Sequence, residues 1–148
     1  MTNDQLDEMG SIDYVVLEWP SDAPATGEIQ KLLLDLVDRG IIRVLDIAFL
    51  SKGEDGSVAA IEAGDVATVA AIFAEFEGAS SGLLDFADLE EAAAALEPGT
   101  SGTVIVWENT WAAPIATAMR RSGGQLVASG RIPVQAILAS LDALDAKS

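Results

Sequence analysis

The 148-residue chain contains no cysteine and no histidine. Without cysteine there is no disulfide, no thiolate nucleophile and no cysteine-held zinc or iron–sulfur centre. Without histidine there is no Ser-His-Asp triad, no imidazole acid–base step and no haem held through histidine. A metal site would have to be built from oxygens, a donor set that suits Mg²⁺, Ca²⁺ or Mn²⁺. Bases are scarce as well. Eight Lys and Arg face 24 Asp and Glu, for a formal net charge of −16. From Gly53 to Met119 there are twelve acids and no base at all. Such a field repels phosphate backbones and anionic membrane surfaces, so neither nucleic acid nor lipid is an expected partner. It serves as a solvated face that keeps the chain in solution, or as a docking face for a basic protein partner.

Long hydrophobic runs are also missing. The longest stretch without a charged residue is Asn109–Met119, eleven residues, and a membrane helix needs about 18 or more. No membrane insertion is expected. Residues 1–10 carry Asp4, Asp7 and Glu8 and no base, the reverse of a signal peptide. They read as a disordered acidic tail on a cytoplasmic protein. Half the residues are hydrophobic, enough to give residues 11–148 a core as a single α+β domain.

Ile12–Trp19 is rich in β-branched and aromatic residues and reads as a strand stopped by Pro20. Gly27–Arg39 places Ile29, Leu32, Leu33, Leu36 and Val37 on one helical stripe, with Gly40 where a C-terminal cap belongs. Ile42–Ser51 and Ser57–Glu62 are strands joined across Asp55-Gly56, a strong hairpin signal. Asp65 caps an Ala-rich helix over Val66–Phe76. A further helix runs from about Asp85 to Leu96 and stops at Pro98-Gly99. Thr103–Glu108 is a strand and Trp111–Arg121 a helix, with Pro114 tolerated in its first turn. Gln125–Ile132 reads as a fifth strand. Pro133 opens a last helix carrying Ile137, Leu138, Leu141 and Leu144. The first six elements spell the ferredoxin-like split β-α-β core, β-α-β-β-α-β, extended by a further α-β-α.

Chemistry-bearing motifs are few. The glycine-rich loops Gly78–Gly82 and Pro98–Gly102 have no nearby base, and the second leads into a strand, so neither is a phosphate cradle. Lys31, Lys52 and Lys147 fall in a helix, a hairpin turn and the tail, and no Ser-x-x-Lys occurs. Glu18 and Glu108, each near a strand end, are the only carboxylates that could be set across a glycosidase-like cleft. No catalytic residue, metal ligand or cofactor is assigned. The most unusual segment is Trp107-Glu108-Asn109-Thr110-Trp111, with two of the three tryptophans at a strand-to-helix junction. It reads either as a capped helix start with tryptophan rings sealing the core edge or as a ligand site. In the second case Trp19, Trp107 and Trp111 would line a pocket, with Glu108 and Asn109 as polar anchors.

Asp13–Val16, Gly82–Asp85, Leu96–Ser101, Val106–Pro114 and Gly130–Pro133 together resemble a family of small acidic actinobacterial proteins of unknown function. The family is related to a broader group loosely labelled stress or membrane-associated proteins. The resemblance spans nearly the whole chain after the first ten residues, and the segment Trp107–Pro114 is its most specific part. It implies no activity and no catalytic residue.

The sequence therefore points to a non-enzymatic protein that self-associates as a homo-oligomer, a structural or regulatory component linked to stress. A ferredoxin-like sheet leaves a face or an edge to be covered, and a second copy is a common cover. The alternative is a small-molecule binding module at the Trp107–Trp111 segment. Charge supplies a direct test. Repulsion among 24 acids is screened as the Debye length shortens to about 8–10 Å at 0.1–0.15 M salt. Melting temperature should rise from low to physiological NaCl. It should rise again as pH falls from 7 towards 5, because repulsion raises folded-state carboxylate pKa values and the native state then binds more protons. If attraction governs instead, as between Arg43 and Asp46, adding salt at pH 7 lowers the melting temperature.

Overall fold

A computed structural model of the chain describes residues 8–20, 28–61, 74, 76, 81–130 and 132–147. Contacts divide it into two compact units, residues 1–118 and 119–148. The elements are β1 (Ile12–Pro20), α1 (Glu28–Asp38), β2 (Arg43–Lys52), β3 (Val58–Ile61), α2 (Phe86–Ala93), β4 (Thr100–Glu108), a 3₁₀ turn (Thr110–Ala112), α3 (Ala113–Arg121) and α4 (Val134–Lys147). Asp65 and the helix expected over Val66–Phe76 lie outside the described residues, apart from Ala74 and Phe76.

The protein is α+β, with a four-stranded antiparallel sheet in the order β1-β4-β2-β3. β1 and β2 run the same way with β4 inserted between them, a split β-α-β arrangement. β4 has hydrogen-bonded neighbours on both sides, and most of its residues are buried. One sheet face sets Val44, Ile47, Ile105 and Trp107 against Leu33, Leu34 and Val37 of α1 and against Phe76. The other sets Leu50, Val104 and Val16 against Leu84, Leu89, Ala93 and Leu96, from α2 and its flanks. The period-2 alternation of each strand divides its apolar residues between these two clusters. Among the described residues each sheet face carries a packed cluster, with Ile12 and Tyr14 left exposed at the β1 end of the α2 side. The sheet's margins are β1, nine residues long, and β3, four.

Local chemistry sets the element ends. α1 closes as the sequence indicates: Gly40 takes φ 72°, its amide donates to the Val37 carbonyl and the Ile41 amide to the Leu36 carbonyl, both at 3.0 Å. This is a Schellman cap. The hairpin between β2 and β3 turns through Asp55-Gly56, with the Gly53 amide donating to the Ser57 carbonyl at 2.8 Å. Asp85 caps α2 through a reciprocal pair with Asp88. At the other end of α2, Lys52 Nζ donates to the Ala93 and Leu96 carbonyls, each at 3.0 Å. A cation there meets carbonyls that have no helical partner.

β2 carries a bulge at Leu45, because Val44 pairs with Trp107 and Asp46 with Val106. The extra residue places Val44 on the α1 side and Asp46 on the α2 side. The Leu45 carbonyl accepts from Ser81 Oγ. Asp46, buried, accepts from the Leu84 amide at 2.8 Å and the Ile47 amide at 3.0 Å. The bulge thus anchors the segment that leads into α2. Burial pushes the Asp46 carboxyl above its ordinary value, against the pull of amides from Leu84, Ile47 and Leu83. The native state therefore binds more protons here than the unfolded chain, and stability rises as pH falls through the folded-state pKa. The sign matches the acid-side gain expected from repulsion, but the cause is desolvation. Asp55, held low by the hydroxyl and amide of Ser57, acts in the opposite sense. Arg43 does not pair with Asp46; its partner is Glu108.

The second unit differs from the sequence reading. α4 starts at Val134, and the Ala136 amide donates to the Pro133 carbonyl at 3.0 Å. Residues 125–130 and 132, expected as a fifth strand, form none, and Leu126, Val127 and Ile132 are exposed. Alternating apolar residues describe a surface that fits a sheet; they do not fix the backbone without a paired neighbour. Glycines at 123, 124 and 130 raise the entropy cost of extending it. Among its described residues the extension beyond β4 is therefore helical at both ends without a strand between.

Candidate functional site

β4 runs out at Glu108 between the first residue of β1 and the first of β2: Ile12 lies opposite it on one side and Arg43 on the other. The Glu108 carboxylate is buried and fully engaged. Oε1 accepts from Arg43 Nε at 3.0 Å and Oε2 from the Gly10 amide at 2.8 Å. The Arg43 side chain is half exposed, so the pair is partly screened. Asn109, also buried, is saturated on both ends of its amide. Oδ1 accepts from the Trp107 indole at 3.1 Å. Nδ2 donates to the Ser11 carbonyl, Ser11 Oγ and Asp13 Oδ2 at 3.2, 3.0 and 2.8 Å. The Asn109 backbone amide donates to the Ser11 carbonyl at 2.7 Å.

Together these contacts sew residues 9–13 to the end of β4. A Cβ on Gly10 would run into the Asn109 carbonyl oxygen, so only glycine allows this approach. Met9 is buried beside it. Among the described residues packing thus extends to Met9, two residues before the expected domain start at Ser11. Asn109 stands at the N-cap of the 3₁₀ turn, but its side chain does not cap that turn. The turn is held instead by the Trp111 amide, which donates to the Ile41 carbonyl at 3.1 Å. Thr110 Oγ1 is buried and has no hydrogen-bond partner among the described residues.

Of the five residues nominated from sequence, the structure gathers four at this end of the sheet. Trp107 packs on the α1 side of the core, Glu108 and Asn109 are ties, and the Trp111 residue is 60% exposed. Trp19 is not among them. It lies opposite Ser101, whereas Asp13 lies opposite Trp107, six residues and about 20 Å along the strand. Glu18 is separated from Glu108 in the same way, and it accepts from the Glu97 amide at 2.8 Å. The two carboxylates do not face one another across a cleft. Gly10, Ser11, Asp13 and Arg43 complete the cluster and were not nominated. Only the antiparallel register of β1 on β4 brings them in, and no spacing in the sequence reports it.

Both Glu108 oxygens and both ends of the Asn109 amide are hydrogen-bonded, and through them the cluster holds backbone segments together. A groove of about 370 Å³ opens elsewhere, lined by Lys52, Gly56, Val58, Phe86, Glu90, Ala93 and Ala94; none of these is a sequence candidate. Among the described residues no group of three or more acids could hold a metal ion, and no helix is long and apolar enough to cross a membrane. The profile of a family of unknown function (DUF6325) matches residues 8–148, and the chain belongs to that family. No curated protein and no solved structure matches it.

Removing either tie should cost stability. Glu108→Gln and Asn109→Ala should each lower the unfolding free energy by about 1–3 kcal/mol, read by urea unfolding followed through tryptophan fluorescence. The double variant should lose less than the sum, because both hold the same N-terminal segment. Trp111→Ala, at an exposed position, should stay within about 0.5 kcal/mol of the parent. Unchanged stability in the first two variants would remove the structural role assigned to them.

Proposed function

We propose that this member of a family of unknown function is a non-enzymatic protein that works by association, its first partner being a second copy of itself. One observation carries the reading. β1 is nine residues long and hydrogen-bonded along its whole length to β4 on one side; among the described residues no strand pairs with its other side. An uncovered edge of that length is a template for another strand. Ile12 and Tyr14 of this strand are 50% and 70% exposed, on the same face as Val16. In this reading Glu108 and Asn109 are positioning residues that fix the start of β1. The element order β-α-β-β-α-β is that of the ferredoxin-like core read from the sequence, while the sheet is ordered β1-β4-β2-β3 with α1 and α2 on opposite faces. A cytoplasmic, stress-linked structural or regulatory role is the setting that suits such a component, and the acidic stretch from Gly53 to Met119 offers a further face to a basic partner.

Two copies of net charge −16 repel one another, so association should strengthen with salt. Size-exclusion chromatography with light scattering at micromolar protein should show a dimer at about 0.15 M NaCl and a larger dimer fraction as salt is raised further. A monomer throughout that range would overturn the reading.

A further inference from the structure

We infer that β1 pairs with β1 of a second copy in one defined register, antiparallel and centred on Val16. This rests on the self-association proposed above and goes beyond it in naming the interface. Antiparallel pairing of a strand with itself is isologous: one two-fold axis generates every contact. With Val16 opposite Val16, all nine residues from Ile12 to Pro20 find a partner. Ile12 meets Pro20, Asp13 meets Trp19, Tyr14 meets Glu18, and Val15 meets Leu17. Residues of the same parity share a face, so each sheet face continues across the axis, with Val16 on the α2 side and Val15 and Leu17 on the α1 side.

The pleat opposes both neighbouring registers, and charge opposes one of them as well. β1 holds two acids, Asp13 and Glu18, and no base. Shifting the pairing by one residue in either direction would join opposite faces of the two sheets, and in one of the two directions it would also set Asp13 directly opposite Glu18. In the register centred on Val16 no charge lies opposite a like charge, and the exposed Tyr14 hydroxyl is placed across from a carboxylate. The two acids do not guard the edge, because each is tied within its own molecule. Asp13 accepts from Asn109, and Glu18 accepts from the Glu97 amide. Pro20 lies at the strand's last position, where a missing amide costs the ladder least. The opposite margin, β3, has four residues among those described, less than half the length of β1.

The chain has no cysteine, so a single introduced thiol reports the register without interference. Directly opposed residues in an antiparallel pair have Cα atoms about 4.5–5.5 Å apart, within the disulfide range. Full-length Val16→Cys should become a disulfide-linked dimer under mild oxidation. Ile12→Cys should not, because its counterpart lies eight residues away, about 27 Å. Val16 is partly buried, so a second pair covers a folding failure. Tyr14→Cys mixed with Glu18→Cys should cross-link, while neither should do so alone. A protein that scatters as a dimer yet cross-links at Ile12, or at none of these positions, overturns the register and leaves self-association standing. A protein that scatters as a monomer overturns both.

Discussion

β4 is hydrogen-bonded on both sides and buried on both faces, and the other elements of the first unit are arranged around that one strand. Its side chains alternate between two clusters, so α1 and α2 must lie on opposite sides of the sheet. β2 reconciles its own sequence with this arrangement through the Leu45 bulge. Without the extra residue, Val44 and Asp46 would share a face, and either the valine would leave the α1 cluster or the carboxylate would enter it. The bulge also frees the Leu45 carbonyl, which Ser81 then satisfies. A single irregularity in the ladder thereby positions the segment that Asp85 converts into a helix.

The polar groups buried around this frame follow a common rule. Desolvating a charge is costly unless hydrogen bonds replace the lost water. Asp46 is met by backbone amides, Glu108 by Arg43 and the Gly10 amide, and Asn109 by a ring of four partners. Lys52, although read from sequence as a hairpin lysine with no role, closes the C-terminal end of α2. Each of these groups ties one backbone segment to another. The Glu108–Asn109 cluster fixes the start of β1, and in doing so it determines which strand forms the long margin of the sheet.

Much of this was legible in the residues themselves. The hairpin at Asp55-Gly56, the cap at Gly40, the start of α2 at Asp85 and the tolerated Pro114 all follow from local backbone rules, and the structure has them where those rules put them. What local rules cannot supply is pairing. Gln125–Ile132 alternates like a strand but has no neighbour to pair with, and it forms none among its described residues. Trp19 and Trp107 look alike in sequence context, yet the antiparallel register puts them near opposite ends of the β1–β4 ladder. The same register explains why Gly10, which reads as tail, joins Ser11 in the Glu108–Asn109 cluster. Arg43 is three residues from Asp46, and its guanidinium goes instead to a carboxylate 65 residues away.

A packed cluster on each sheet face shifts attention from a face to an edge as the place where a second copy would dock. Amide hydrogen exchange resolved to single residues tests that edge most directly. Among the described residues the β1 amides that point away from β4 have no ladder partner, and they should exchange quickly in dilute protein. If β1 pairs with its own copy, their protection rises with protein concentration, while the amides pointing towards β4 keep theirs. Fast exchange of the outward amides at every concentration would contradict the account.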